Sequence, residues 1–277
     1  MSCLMHAGLT RRAALASLAT LAWPVAAQAF DHSHAAWSGL LSKHVVPLRG
    51  GQASQLRYAG MATDRAVLQA YLATLSAVKA EAFASFSKPQ QMAFLINAYN
   101  ASTVELVLGR YPNLKSIKDL GNLLNSPWKK AFVPLLGGIH SLDEIEHSML
   151  RAPGRYDDPR IHFAVNCASV GCPPLREEAF VAQRLDAQLD EQAARFMADR
   201  SRNRWSVAEQ RLEVSKIFDW YGNDFRAGHR GIGSLEAFFA RHADVLADAP
   251  ADRERVRTQR APVAYLPYDW ALNDVKS

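Results

Sequence analysis

The stretch IHFAVNCASVGCPPL, residues 161–175, carries a histidine and two cysteines whose spacing could support thiol chemistry. From Ile161 onward apolar residues occupy every second position, which predicts a strand with one buried face and His162 on the other. The two prolines after Cys172 cannot donate main-chain hydrogen bonds to a sheet, so the strand must end there. His162, Cys167 and Cys172 are therefore expected to gather at a strand end, where loops often carry catalytic groups.

The two cysteines allow three chemistries. A structural disulfide between them would close a short loop and contribute roughly 2 kcal/mol in the chain-entropy model. Alternatively, one cysteine is a thiolate nucleophile with His162 as its base, as in cysteine hydrolases and acyltransferases. Three residues could orient that base: Asn97, Asn166 or Asp269. In the third alternative the pair cycles between dithiol and disulfide, although its spacing differs from the CxxC of most thiol oxidoreductases.

A strand histidine five residues before Cys167 faces away from it, yet His162 could approach Cys172 once the turn folds back. The alternatives therefore stay open at this point. We expect a disulfide in the isolated protein and a hydrolase-like site beside it.

A second candidate group follows Ser141, which with Glu144 three residues later forms a capping-box pattern at a helix start. The apolar stripe of this helix leaves Glu146 and His147 outside it. A carboxylate and an imidazole can act as acid and base, so Glu146 joins His162 as a site candidate. The histidines nearby show no HExxH or paired spacing, and we predict no metal and no cofactor.

Two asparagines lie in a strongly apolar helix predicted from Ser87 to about Gly109. Asn97 and Asn100 are three residues apart and share one face. A buried amide left unpaired costs roughly 1–3 kcal/mol, so both must find partners. They either clamp a main chain or orient a catalytic histidine or a substrate amide, and we expect their face to lie near His162.

Several of these motifs occur together in a known family. The motif HFAVNCASVGCPPLR, with FLINAYNA at 94–101 and SLDEIEHSMLR at 141–151, resembles the domain-of-unknown-function family 547. The late segments KIFDWYGNDF and YLPYDWALN match more weakly. The resemblance is strong over about 85–200 and implies no particular activity, so the functional expectations rest on the residues.

Residues 1–29 have the pattern of a signal peptide. Arg11 and Arg12 precede an uncharged apolar run that ends in Ala27-Gln28-Ala29, a small-x-small cleavage site. The run is too short to span a bilayer, and no later stretch approaches eighteen apolar residues, so we predict no integral membrane segment. The paired arginines leave the twin-arginine export route open beside the general one. We expect a periplasmic or secreted protein that begins at Phe30.

Export also bears on the cysteines and on the partners. Cleavage would remove Cys3 and leave two cysteines in an oxidising compartment, which favours pairing them. The chain has 32 Lys and Arg against 27 Asp and Glu, a formal charge of +5, and cleavage would remove two arginines, leaving +3. This scattered, mild charge does not suggest nucleic-acid binding. A peptide, a glycan or a small thiol metabolite of the envelope is the expected substrate.

The remaining pattern predicts an α+β fold: one mainly helical domain over 30–277 with a small, mostly antiparallel sheet and a family-like core at about 85–200. The N-terminal segment with its three histidines, His32, His34 and His44, is expected to be solvated and frayed. The other expected elements are helices over 35–45, from Asp64, over 177–200 and from Ser234, hairpins around 132–138 and 204–215, a surface loop or frayed helix over 248–260, and a last strand over 263–270.

Overall fold

The computed structural model of the protein describes residues 30–121 and 126–275. The predicted signal peptide, with Cys3, lies outside the described residues. The α-helices are α1 (Ala35–His44), α2 (Tyr58–Thr63), α3 (Arg65–Ala77), α4 (Ala80–Ala84), α5 (Lys88–Leu108), α6 (Leu185–Ala198), α7 (Ile217–Trp220), α8 (Leu235–Arg241), α9 (Ala243–Leu246) and α10 (Pro250–Arg257). The strands are β1 (Val45–Leu48), β2 (Ala53–Leu56), β3 (Val133–Leu135), β4 (Gly138–His140), β5 (Arg204–Ser206), β6 (Arg211–Ser215) and β7 (Val263–Leu266). A π-helix covers Glu144–Leu150, and 3₁₀ helices cover Arg49–Gly51, Ile117–Leu120, Pro127–Lys129, Pro159–Phe163, Ala182–Arg184, Gly222–Phe225 and His229–Gly231.

The strands form three small sheets. β1 pairs with β2, and β3 with β4, as antiparallel hairpins. β6 pairs antiparallel with β5 and parallel with β7, with Leu212 opposite Val263. The predicted α+β class, mainly helical with small and mostly antiparallel sheets, is confirmed.

Helix α5 is the buried centre of the family-like region. The helix begins after Ser87 as predicted, and a capping box closes its start: Ser87 Oγ accepts a hydrogen bond from the Gln90 N–H, and the Gln90 side chain accepts one from the Ser87 N–H. Most of its side chains are buried, including both asparagines. The helix packs against α3 on one side and against the π-helix on another.

The hydrophobic core has two clusters of buried residues. The first surrounds α5, and the second gathers phenylalanines from α6 to α8, among them Phe196, Phe218 and Phe238. Ile161 belongs to the first cluster and Phe163 to the second. The histidine and cysteine stretch therefore runs along the boundary between the two clusters.

The predicted strand from Ile161 is wrong. The chain forms a 3₁₀ helix there, entered through Pro159 and capped by Asp158, whose carboxylate accepts from the Arg160 N–H. The alternation of apolar residues does not indicate a strand here, because both sides of the segment are buried. His162, on the face expected to be polar, is only 3% exposed. A period of two indicates a strand only where one face meets solvent.

The predicted frayed N-terminal segment is also wrong. His34 is buried and its Nδ1 lies 2.7 Å from the Tyr71 hydroxyl, while His44 Nε2 lies 2.6 Å from Asp64 Oδ2. Phe30 packs against the first core cluster. Asp64 precedes α3 as predicted but makes no capping hydrogen bond, because its carboxylate is engaged by α1.

Two other predicted elements are shorter in the structure. The helix expected over 177–200 begins only at Leu185, because side chains hold the preceding main chain: Gln188 accepts from the Val181 N–H and donates to the Ala179 carbonyl. The last strand ends at Leu266 rather than at residue 270. Within the described ranges, no helix is long and apolar enough to cross a membrane.

Candidate active site

A pocket of about 340 Å³ lies beside the cysteine loop. Its chemically reactive lining comes from Asp143, Glu146, His147, His162, Cys167 and Cys172. Its aromatic lining comes from Tyr99, Trp128, Trp220, Tyr221, Tyr268 and Trp270. Four of the six predicted site residues, His162, Cys167, Cys172 and Glu146, thus border one cavity.

The cysteine loop is held by Asn166. Its side-chain oxygen accepts from the Ala168 N–H at 2.9 Å, and its amide donates to the Pro173 carbonyl at 2.8 Å. Ala168 has a φ of 62°, a left-handed conformation that residues other than glycine adopt rarely. Asn166 is therefore a clamp on the loop rather than the partner of a catalytic base.

The two thiols are free and lie with their sulfur atoms 2.6 Å apart. Since no bond joins these two sulfur atoms in this structure, the predicted disulfide stays a prediction. The Tyr268 hydroxyl lies 3.3 Å from Cys167 Sγ and 3.2 Å from Cys172 Sγ, and the Cys167 N–H donates to Cys172 Sγ at 3.0 Å. Cys172 Sγ is thus surrounded by donors.

These contacts shift the pKa values of the two thiols in opposite directions. The hydrogen bond to Cys172 and burial raise the pKa of Cys167. Burial acts to raise the pKa of Cys172 as well, but hydrogen bonds from Cys167, Tyr268 and main-chain N–H groups outweigh it and lower that pKa. When the pair loses one proton, the negative charge resides on Cys172.

The C-terminal segment delivers Tyr268 to the sulfurs. It runs along the cysteine loop through main-chain hydrogen bonds, from the Val170 N–H to the Ala271 carbonyl and from the Gly171 N–H to the Asp269 carbonyl. A Cβ at Gly171 would lie 2.9 Å from the Tyr268 ring, so the close approach requires glycine. The Asp269 carboxylate caps the Ala271 N–H instead of orienting a base.

His162 is oriented by Asp224. Its Nε2 lies 2.7 Å from Asp224 Oδ2, and Tyr221 stacks on its ring at 4.1 Å between centroids. Burial lowers the pKa of His162 more than the hydrogen bond to Asp224 raises it, so the ring is neutral at pH 7. A carboxylate only accepts, so we assign the proton to Nε2. Nδ1 then has a free lone pair, and it has no hydrogen-bond partner among the described residues.

Asp224 is itself fixed by Arg151, which donates from Nε at 2.7 Å and from Nη2 at 3.0 Å. Burial raises the pKa of Asp224, but the hydrogen bonds from His162 and Arg151 lower it well below its usual range. The carboxylate is therefore ionised throughout the neutral range. Arg151 also lies above the Tyr221 ring, which completes a packed support behind His162.

The helix expected after Ser141 is largely a π-helix. Its capping box is confirmed, since Glu144 accepts from the Ser141 N–H and Ser141 Oγ accepts from the Glu144 N–H. π-helical turns are rare and often occur at functional sites. This one places Glu146, a residue only 6% exposed, on the pocket wall that Tyr221 also lines. Burial raises the pKa of nearby Asp143, which makes it a second candidate acid.

The two asparagines of α5 hold main chain. Asn97 donates to the Phe180 carbonyl and accepts from the Phe180 N–H. Asn100 donates to the Ala164 carbonyl and accepts from the Asn166 N–H, so its predicted proximity to the His162 segment is observed. Among the described residues that line the pocket neither asparagine appears. Both position other segments, and the residue of α5 that reaches the pocket is Tyr99.

Comparison with known proteins gives a family but no activity. Residues 83–197 match a family model. It is that of DUF547, described as a protein of unknown function. The predicted family is confirmed over this segment, which nearly coincides with the expected core. No curated protein and no solved structure matches the chain.

The site extends beyond the DUF547 segment. His162, both cysteines and Glu146 lie within it, whereas Asp224, Tyr221 and Tyr268 follow it in the chain. These three residues, and Arg151, were not predicted from the sequence as site residues. The available signal was the resemblance of the KIFDWYGNDF and YLPYDWALN segments, which contain the first three, and of SLDEIEHSMLR, which ends in Arg151.

Proposed function

We propose that this protein is an exported envelope enzyme with a hydrolase- or acyltransferase-like site, in which a cysteine thiolate is the nucleophile and His162 the base. One observation carries the proposal. His162 is a neutral imidazole that borders the same pocket as both thiols, with Nε2 held by Asp224 and with a buried Nδ1 that has no hydrogen-bond partner among the described residues. A base oriented by a carboxylate beside a thiol is the general arrangement of cysteine hydrolases.

Cys172 is the proposed nucleophile because its sulfur accepts the hydrogen bonds that stabilise a thiolate. Its attack on an acyl carbon forms a thioester, and the thiol proton passes through His162 Nδ1 to the leaving group. Water or an acceptor alcohol or amine then attacks the thioester carbon and gives its proton to Nδ1. The C–S bond breaks, the acyl product leaves, and the proton passes from Nδ1 to the Cys172 sulfur, which regenerates the thiol. Within the described ranges no hydrogen bond joins the His162 ring to either sulfur, so one water or a substrate group relays the proton.

The pocket walls favour the substrates expected from the sequence. The aromatic rings offer faces for a sugar or a peptide side chain, and the carboxylates of Asp143 and Glu146 offer acceptors for hydroxyl or ammonium groups. A peptide, a glycan or a small thiol of the envelope fits this lining. The export part of the proposal rests on residues 1–29 and their cleavage pattern.

Trapping of a thioester tests the proposal. Fully reduced protein is treated with an activated ester, and intact mass and peptide mapping locate the acyl group. We expect one acyl group, on Cys172, with Cys172→Ser abolishing it and His162→Ala slowing its formation. His229→Ala, which changes a histidine outside the pocket lining, is the matched control. Absence of an acyl adduct on the reduced protein would sink the proposal.

A second candidate is thiol-disulfide exchange, which the contact between the two sulfur atoms favours. It requires both cysteines, whereas acyl transfer requires one, so Cys167→Ser separates the two functions. A reduction potential between about −270 and −120 mV would support exchange, and one below about −300 mV would indicate a structural bond. Intact mass with and without reductant determines whether the isolated protein contains the predicted disulfide.

A further inference from the structure

We infer that cleavage after Ala29 creates a Cu(II)- or Ni(II)-binding site from the first three residues of the mature chain, Phe30, Asp31 and His32. The inference rests on the export and processing part of the proposed function and is independent of the chemistry in the pocket. It assigns to the N-terminus a role that the thiols and His162 do not share.

The order of the residues provides the chemistry. A histidine in third position behind a free amine offers four nitrogen ligands in sequence: the Phe30 amine, the main-chain nitrogens of Asp31 and His32, and His32 Nδ1. The two main-chain N–H groups release their protons when the metal binds. No proline occupies position two or three, so both of these protons are available. A planar set of four nitrogens selects Cu(II) or Ni(II) over Zn(II), which prefers a tetrahedral site.

Among the described residues, no hydrogen bond engages the nitrogen atoms of Asp31 and His32 that the chelate requires. His32 Nδ1 has no hydrogen-bond partner among the described residues. Neither the Asp31 nor the His32 N–H donates a hydrogen bond to another described residue, whereas the neighbouring Ser33 N–H donates to the Asp31 carboxylate. His34 differs, because its Nδ1 is engaged by Tyr71.

The tripeptide is anchored rather than loose. The Phe30 ring contacts Phe94 edge-on at 5.2 Å and stacks on Phe86 at 6.1 Å, and the His32 ring contacts Phe86 edge-on at 4.4 Å. Within the described ranges no cluster of three or more His, Cys, Asp or Glu side chains is suited to a metal, and this site differs because main-chain nitrogens supply half of its ligands.

Copper titration of the processed protein tests the inference. The full chain is expressed in a host that exports it, and intact mass defines its N-terminus. We expect the processed chain to bind one Cu(II) in the presence of a competing chelator, with the visible absorption and electron paramagnetic resonance spectrum of a square-planar site with four nitrogens. His32→Ala should weaken binding by more than the ~10–100-fold typical of losing a group that merely supports a ligand.

Two controls separate this chelate from adventitious binding. His34→Ala removes the neighbouring histidine and should leave copper binding unchanged. One serine inserted between Ala29 and Phe30 keeps every side chain but moves His32 to position four, and should abolish the chelate. Binding that survives the insertion overturns the inference, as does a chain that begins at Phe30 and binds no copper. Recovery of another N-terminus overturns it at the processing step, and none of these outcomes bears on the acyl-transfer test.

Discussion

His162 Nε2 and Asp224 Oδ2 lie 2.7 Å apart although 62 residues separate them in the chain. The carboxylate also accepts two hydrogen bonds from Arg151, which hold it in place independently of the imidazole. The pair therefore sets both the orientation and the tautomer of His162, and leaves Nδ1 as its basic nitrogen.

Asp224→Asn tests this relationship. The carboxamide keeps the shape but can donate, so we expect the neutral His162 ring to lose its preference for the Nε2–H tautomer, which nitrogen NMR measures directly. If His162 is a general base, thioester formation should slow by about 10²–10⁴-fold. The control is Asp219→Asn, which changes an aspartate of α7 that pairs with Lys216. It should have neither effect. An unchanged tautomer would contradict the assignment.

Tyr268→Phe should make the reduced protein less reactive. The hydroxyl stabilises the Cys172 thiolate, and a hydrogen bond to a charged group contributes about 1.5–3 kcal/mol. Its loss should raise the pKa of Cys172 and slow alkylation below pH 7 by about tenfold or more. Tyr265→Phe on β7 removes the hydroxyl of an exposed tyrosine and should leave the rate unchanged. Equal rates in the two variants would show that Tyr268 does not act on the sulfurs.

The two asparagines of α5 should separate stability from reactivity. Asn97→Ala leaves the buried N–H and carbonyl of Phe180 unpaired and should lower the free energy of unfolding by about 2–4 kcal/mol, measured by urea denaturation. Asn100→Ala should cost a similar amount and also change thiol alkylation, because Asn100 holds the main chain that leads into the cysteine loop. Asn113→Ala, at an exposed turn, should cost less than about 0.5 kcal/mol. Altered alkylation in Asn97→Ala alone would contradict this division.

Acid should destabilise the protein in a window set by His34. Burial lowers the pKa of this ring to about 4 from its ordinary 6.5. Between these values the unfolded chain binds a proton that the folded chain does not, so the free energy of unfolding falls as the pH falls from 6.5 toward 4. The expected loss between pH 7 and pH 5 is about 2 kcal/mol, and His242, whose pKa burial also lowers to about 4, acts in the same direction.

Urea denaturation at each pH measures this dependence. His34→Gln removes the titrating ring and should flatten the slope between pH 7 and pH 5, whatever its effect on stability at pH 7. Between pH 7 and pH 8 neither ring changes charge, and the stability of the wild-type protein should change little there on their account. A wild-type slope in His34→Gln would assign the acid sensitivity to other groups.

The sequence by itself determined the features that depend on neighbours a few residues apart. The capping box at Ser141, the start of the buried central helix near Ser87 and the hairpins around 132–138 and 204–215 all follow from short-range patterns, and the structure confirms them. The need of Asn97 and Asn100 for buried partners was likewise visible, because an apolar helix surface offers an amide none.

Only the tertiary structure decided what surrounds His162 and the cysteines. The segment from Ile161 forms a 3₁₀ helix because two separate core clusters bury it from both sides. The local apolar pattern contains no information about the second cluster. The partner of His162 is Asp224, and the donor to the sulfurs is Tyr268. The segment with Asp224 packs across the second cluster, and the segment with Tyr268 runs along the cysteine loop. Several carboxylates and hydroxyls in this sequence could have filled those roles, and a pairing between distant residues is set by packing that no local period encodes.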